Sequence, residues 1–150
     1  RTFFSHQFLH GDIMHLLGNM FFLIICGFAV EAAIGHWRFL LFYLLSGLAA
    51  GFAQVASDWN STTPLVGASG AIFGLLAAFA ILFPNTELQL LFPPIPIKAK
   101  WLIGGYFVFE VYNSFQNNAG DNVAHLAHVG GAVVGAIIVL IWRRKGQNFY

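Results

Sequence analysis

Ser69 is the one hydroxyl in the apolar run LVGASGAIFG, residues 65–74, and Gly67 and Gly70 leave space beside it. A buried serine becomes a nucleophile when a general base within about 2.6–3.2 Å takes its proton, and histidine is the commonest such base. Two histidines, His125 and His128, share another apolar run. On a helix, residues three apart point about 60° away from each other. His128 is followed three and seven residues on by Gly131 and Gly135, which lie on its own face, whereas His125 is followed at those spacings by His128 and Ala132. A glycine stripe lets two helices approach closely. The stripe beneath His128 can therefore press against Gly70 and Gly74 and bring imidazole to hydroxyl, which makes His128 the better base.

Acyl transfer also needs donors aimed at the developing oxyanion. His15 and Asn19 are four apart and share a helix face, offering a ring N–H and an amide. The backbone N–H of Ser69, at the start of a helix, is a third donor because early helical N–H groups lack intrahelical partners. The nearest upstream carboxylate, Asp121, is seven residues before His128, about 10.5 Å along a helix. The expectation is thus a Ser–His dyad without a carboxylate, with Phe73, four residues after Ser69, packing on the imidazole to hold its orientation.

These residues need elements to carry them. The 150 residues are 58% hydrophobic and only 9% charged, with a mean hydropathy of +0.72. A soluble domain carries about 25% charged residues, so this is a membrane protein. About 20 mostly apolar residues span a hydrocarbon layer as a helix. Five runs come near that: Met14 to Ala33, Phe39 to Ala56, Leu65 to Phe83, Trp101 to Phe115 and Val123 to Trp142. None alternates like a barrel strand, and open sheets do not survive in lipid. The fold class is all-α, a polytopic helix bundle in a single domain over residues 1–150. Close small-residue pairs, Gly47 with Gly51, Gly70 with Gly74 and Gly131 with Gly135, predict tight helix packing.

Trp37, Trp59, Trp101 and Trp142 all fall at run ends, the headgroup level that amphipathic rings favour. Arg38, Lys98, Lys100, Arg143, Arg144 and Lys145 lie on one side and only Arg1 on the other, which predicts a cytoplasmic C-terminus. Five crossings that begin outside predict a further helix upstream, entering from the cytoplasm. No secretory leader precedes the first run. The connection FPNTELQLLFPPIPIKAKW, with Pro93, Pro94 and Pro96, excludes a regular helix and is expected along the cytoplasmic surface. A net charge of +1 gives no basis for nucleic-acid binding, and the single cysteine, Cys26, is expected to pack. Gln54, Glu110 and Asn113 are expected to cap or bridge helices, and His125 to be structural.

Three stretches, HGDIMHLLGN (His10 to Asn19), GASGAIFG (Gly67 to Gly74) and AHVGGAVVG (Ala127 to Gly135), together resemble the signature elements of the rhomboid family of intramembrane serine proteases. The resemblance covers nearly the whole chain, as core helices two to six of six with the first missing. It implies Ser69 as nucleophile, His128 as base, and His15 and Asn19 at the oxyanion. It also implies Gly67 in the serine motif, Gly131 and Gly135 at the close helix contact, and Glu31 as a structural carboxylate at the inner end of its helix. Many relatives carry tyrosine where this chain has Phe73. FPPIPIKAKW resembles a loop of one bacterial branch, which implies a bacterial inner membrane.

The implied activity is endopeptidase cleavage of transmembrane segments of other membrane proteins within the lipid bilayer, with no cofactor, metal or nucleic acid. The alternative is an inactive rhomboid-like protein that binds transmembrane helices without cutting them; loss of the serine or histidine would mark that class, and both are present. Six histidines raise the question of a metal, but no HExxH occurs and no Cys or Asp completes a histidine pair at ligand spacing.

Overall fold

The computed structural model describes residues 12–57, 68–90, 93–116 and 124–144 of the chain. The described residues form five helices and one short hairpin: α1 (Ile13–Ile34), α2 (His36–Ser57), α3 (Ser69–Leu82), β1 (Glu87–Gln89), β2 (Pro96–Lys98), α4 (Ala99–Ser114) and α5 (His125–Arg144). It is a helical bundle of the kind a bilayer requires, with backbone polar groups satisfied inside each segment.

Local chemistry explains the boundaries. Asp12 caps α1, its Oδ1 accepting the His15 N–H at 2.8 Å. The helix stops at Gly35, whose φ of +88° is a conformation that side-chain-bearing residues rarely adopt. α2 begins at the next residue, and the Glu31 carboxylate closes the corner on His36 Nδ1. α3 ends at Phe83, before Pro84, a position at which proline disfavours continuation of the helix.

The long connection has no helix before Ala99 among its described residues, as its prolines require, and it carries an element the sequence does not announce. It contains an antiparallel hairpin pairing Glu87 with Lys98, Leu88 with Ile97 and Gln89 with Pro96. Both strands alternate exposed, half-buried, exposed, so Leu88 and Ile97 share the inner face. Pro96 is tolerated because it is the first residue of its strand. The residues before β1 also serve α4: the N–H groups of Ala99 and Lys100 donate to Thr86 O at 2.8 Å and Pro84 O at 3.2 Å.

Three helices, Ile13–Ile34, His36–Ala56 and His125–Arg144, are long and apolar enough to cross a membrane. Exposed Met14, Leu17, Phe21 and Phe28 on α1, and Val133, Ile137 and Ile141 on α5, present their apolar side chains outward. α3 is different. It begins at Ser69, later than the apolar run suggests, and its 14 residues reach about 21 Å against roughly 30 Å of hydrocarbon. It can be short because it is the central helix, packed against all four others and lined by buried residues.

The closest contacts are between backbones. α3 and α5 run in the same direction, with Gly131 against Gly70 and Gly135 against Gly74, while α2 runs opposite with Ala50 and Ser46 at the same levels. A methyl group on Gly131 would overlap the Gly70 carbonyl, and one on Gly135 would lie 2.6 Å from Gly74 Cα. Helix α4 packs against both α5 and α3, and Glu110 near its end faces His125 and His128 near the start of α5. Successive helices therefore alternate in direction. Ser69, Glu110, His125 and His128 collect at one end of the bundle, and Arg38, Lys98, Lys100, Arg143 and Arg144 at the other. Trp37 and Trp101 are exposed at that second end, where Trp142 is half-buried, whereas Trp59 lies outside the described residues.

Gly131→Ala is expected to destabilise the bundle by about 2 kcal/mol or more, because backbone cannot yield as a flexible side chain can. Gly104→Ala, where nothing lies within 4 Å of the added carbon, is expected to be neutral. Thermal unfolding of both variants in the same detergent checks the difference.

Candidate active site

The start of α3 and the start of α5 form the site. Ser69 is the first residue of α3, and its Oγ lies 2.9 Å from His128 Nε2. That is hydrogen-bond distance for a hydroxyl donating to an imidazole nitrogen. The approach follows from the glycines one turn below, which let α5 sit against α3 without intervening side chains. His128 is buried, with 8% of its surface exposed, and Ser69 is half-buried.

Phe73, one turn below Ser69, stacks on the His128 ring with centroids 4.3 Å apart and planes 10° from parallel. Tyr106 of α4 backs Phe73 at 5.1 Å. The base is thus backed by a phenyl ring with a neighbouring phenol behind it.

The expectation that no carboxylate faces the base does not match this geometry. Glu110, 2% exposed, places Oε2 3.1 Å from His128 Nδ1 and 2.6 Å from His125 Nδ1. It bridges α4 to α5, as an intramembrane carboxylate should when a buried charge needs partners. The same oxygen also reaches the base. Asp121, the carboxylate weighed from the sequence, lies outside the described residues. The signal that finds Glu110 is topological: it lies four residues before the end of α4, as His128 lies near the start of α5, so an antiparallel pair sets them level.

The oxyanion candidates are on α1, which packs against α3. Asn19 is buried and its Nδ2 has no hydrogen-bond partner among the described residues. Leaving such a donor unpaired costs about 1–3 kcal/mol. His15 lies one turn earlier on the same face and is half-buried. Ala68 provides no side-chain cap to α3, and the first intrahelical bond across this end runs from Ile72 N–H to Ala68 O. The N–H groups of Ser69, Gly70 and Ala71 precede that bond and have no intrahelical acceptor. Gly67 lies outside the described residues. Asn113 donates to Phe109 O on its own helix, and Cys26 is buried in the core.

Glu110, His125 and His128 also bring three metal-capable atoms within 4.8 Å of one another. As arranged, the two Nδ1 atoms converge on one carboxylate oxygen, the pattern of two N–H donors sharing an acceptor.

Comparison with known proteins agrees with the architecture. The Rhomboid domain family model matches residues 1–145. The chain is 34% identical over 139 residues to Rhomboid-related protein 1 of Caenorhabditis elegans, covering 89% of this chain and 37% of that protein. It is 30% identical over 142 residues to Rhomboid protease GlpG of Pectobacterium atrosepticum, covering 93% of this chain and 47% of that protein. With Rhomboid protease AarA of Providencia stuartii it shares 28% over 154 residues, covering 89% and 53%. The chain therefore spans about half the length of the two bacterial relatives and less of the worm protein.

Proposed function

The chain belongs to the rhomboid family, and from that premise we propose that it is an intramembrane serine endopeptidase acting on transmembrane segments of other membrane proteins. The observation that carries this reading is the 2.9 Å contact between Ser69 Oγ and His128 Nε2 at a recessed helix start. Two relatives named as proteases support it.

In the proposed reaction Ser69 Oγ attacks the scissile carbonyl as His128 Nε2 takes the hydroxyl proton. The carbonyl oxygen becomes an oxyanion, and the Asn19 amide, His15 and the free N–H groups at the start of α3 supply donors for it. Collapse breaks the C–N bond, and His128 returns the proton to the leaving amine. Water then attacks the acyl-serine with His128 as base, releasing the new carboxyl end and restoring Ser69. Phe73 keeps the imidazole plane fixed throughout.

A substrate carbonyl inside a helix is already hydrogen-bonded, so segments that unwind readily, rich in glycine and small residues, are the proposed substrates. By the positive-inside tendency, Arg38, Lys98, Lys100, Arg143 and Arg144 favour a cytoplasmic side for the opposite end of the bundle, where α5 ends. The scissile bond is then near the outer face.

Labelling with a fluorophosphonate serine probe tests the reading. The wild type is expected to label, Ser69→Ala not at all, and His128→Ala nearly not. No labelling of folded wild-type protein would favour a helix-binding protein without protease activity. Asn19→Ala is expected to lower the cleavage rate of a transmembrane substrate by about 10²–10³-fold while leaving the fold intact, as loss of one oxyanion donor does.

A further inference from the structure

We propose that Glu110 is a positioning residue for the reaction: it holds His128 in the tautomer and ring orientation that leave Nε2 free to accept the Ser69 proton, and His125 holds Glu110 in place. The proposal rests on the serine-protease reading above and adds a third member to its machinery.

The two contacts of His128 are complementary. Nδ1 faces a carboxylate oxygen at 3.1 Å and Nε2 faces a hydroxyl at 2.9 Å. A carboxylate only accepts, so the proton belongs on Nδ1 and the Nε2 lone pair is left toward Ser69. The opposite tautomer would set a bare nitrogen against a carboxylate oxygen, acceptor to acceptor, in a buried site.

Phe73 cannot make this choice. Its ring lies nearly parallel to the imidazole, 10° from coplanar, and fixes the plane. A half-turn of the imidazole about its Cβ–Cγ bond keeps that plane, yet moves Nε2 away from Ser69. Stacking is equally indifferent to which nitrogen bears the proton. Only directional partners distinguish these states, and Glu110 is the partner on the Nδ1 side.

His125 completes the arrangement. Its Nδ1 is 2.6 Å from the same Oε2, and its ring stands nearly perpendicular to that of His128. The second donor pins the oxygen that the base uses. Tyr106, one turn before Glu110 on α4, packs against Phe73 on the far side of the base. Glu110 is 3% exposed at its side chain, so water does not replace these donors. A helix tie alone would need one such contact; here one oxygen serves both histidines, and one of them is the base.

The test uses the whole chain labelled with 15N-histidine and reconstituted in bilayers. Wild-type His128 is expected to show a protonated Nδ1 and an unprotonated Nε2. A dominant Nε2–H tautomer would overturn the proposal without any variant. Glu110→Gln, of nearly the same shape, is expected to redistribute the tautomers and lower kcat on a transmembrane substrate by about 10²–10⁴-fold, with KM within about threefold. Glu110→Asp, which restores the charge, is expected to recover part of kcat. An unchanged tautomer and a kcat within about threefold of wild type in Glu110→Gln would overturn it. Ser69→Ala separates the two ideas: cleavage that survives it sinks the serine-protease reading, whereas the tautomer measured in that variant still reports on Glu110.

Discussion

The structure depends on one contact, the near-meeting of two helix backbones where Gly70 and Gly74 of α3 lie against Gly131 and Gly135 of α5. In lipid there is no hydrophobic force to draw helices together, and association relies on packing and hydrogen bonds between close surfaces. Side chains on these positions would separate the axes by several ångströms, and the Ser69–His128 distance would open with them. Ser46 and Ala50 of α2 meet the same two glycines of α3 beside α5, so three helices share one seam. Affinity between helices and alignment of a reactive pair are set by the same absent side chains.

The second constraint is the expense of polarity at depth. Glu110 and His128 are hard to bury singly, and they are buried in a chain with half-buried His125 and Ser69 in which neighbours satisfy one another. At the opposite end Glu31 and His36 pair at an exposed corner, where water is at hand and burial is not at issue. Asn19 Nδ2 and Ser46 Oγ depart from this, buried beside the central helix with no hydrogen-bond partner among the described residues.

Much of this was legible in residues alone. The apolar runs gave the helices, because about 20 residues of one character have few alternatives in a bilayer. The glycines beneath His128 distinguished it from His125, because helical periodicity places them on one face. The hairpin was hidden: its strands are three residues long, and the alternation of Glu87-Leu88-Gln89 and Pro96-Ile97-Lys98 is too brief to stand out beside three prolines. The start of α3 was hidden too, since apolar composition continues upstream of Ser69 without a break. Glu110 is not legible as a partner for His128 because helical spacing relates residues along one helix only. The carboxylate comes from the preceding helix, eighteen residues away in sequence, and only the antiparallel return of the chain makes them neighbours.

The shortness of α3 makes the protein a gauge of depth. A helix of 14 residues anchored at the basic end of the bundle stops about 9 Å short of the far hydrocarbon boundary, and Ser69 is its last rung. Under the proposed activity, distance from the membrane surface then selects the bond, and a segment inserted one turn deeper or shallower would present different residues to the same serine.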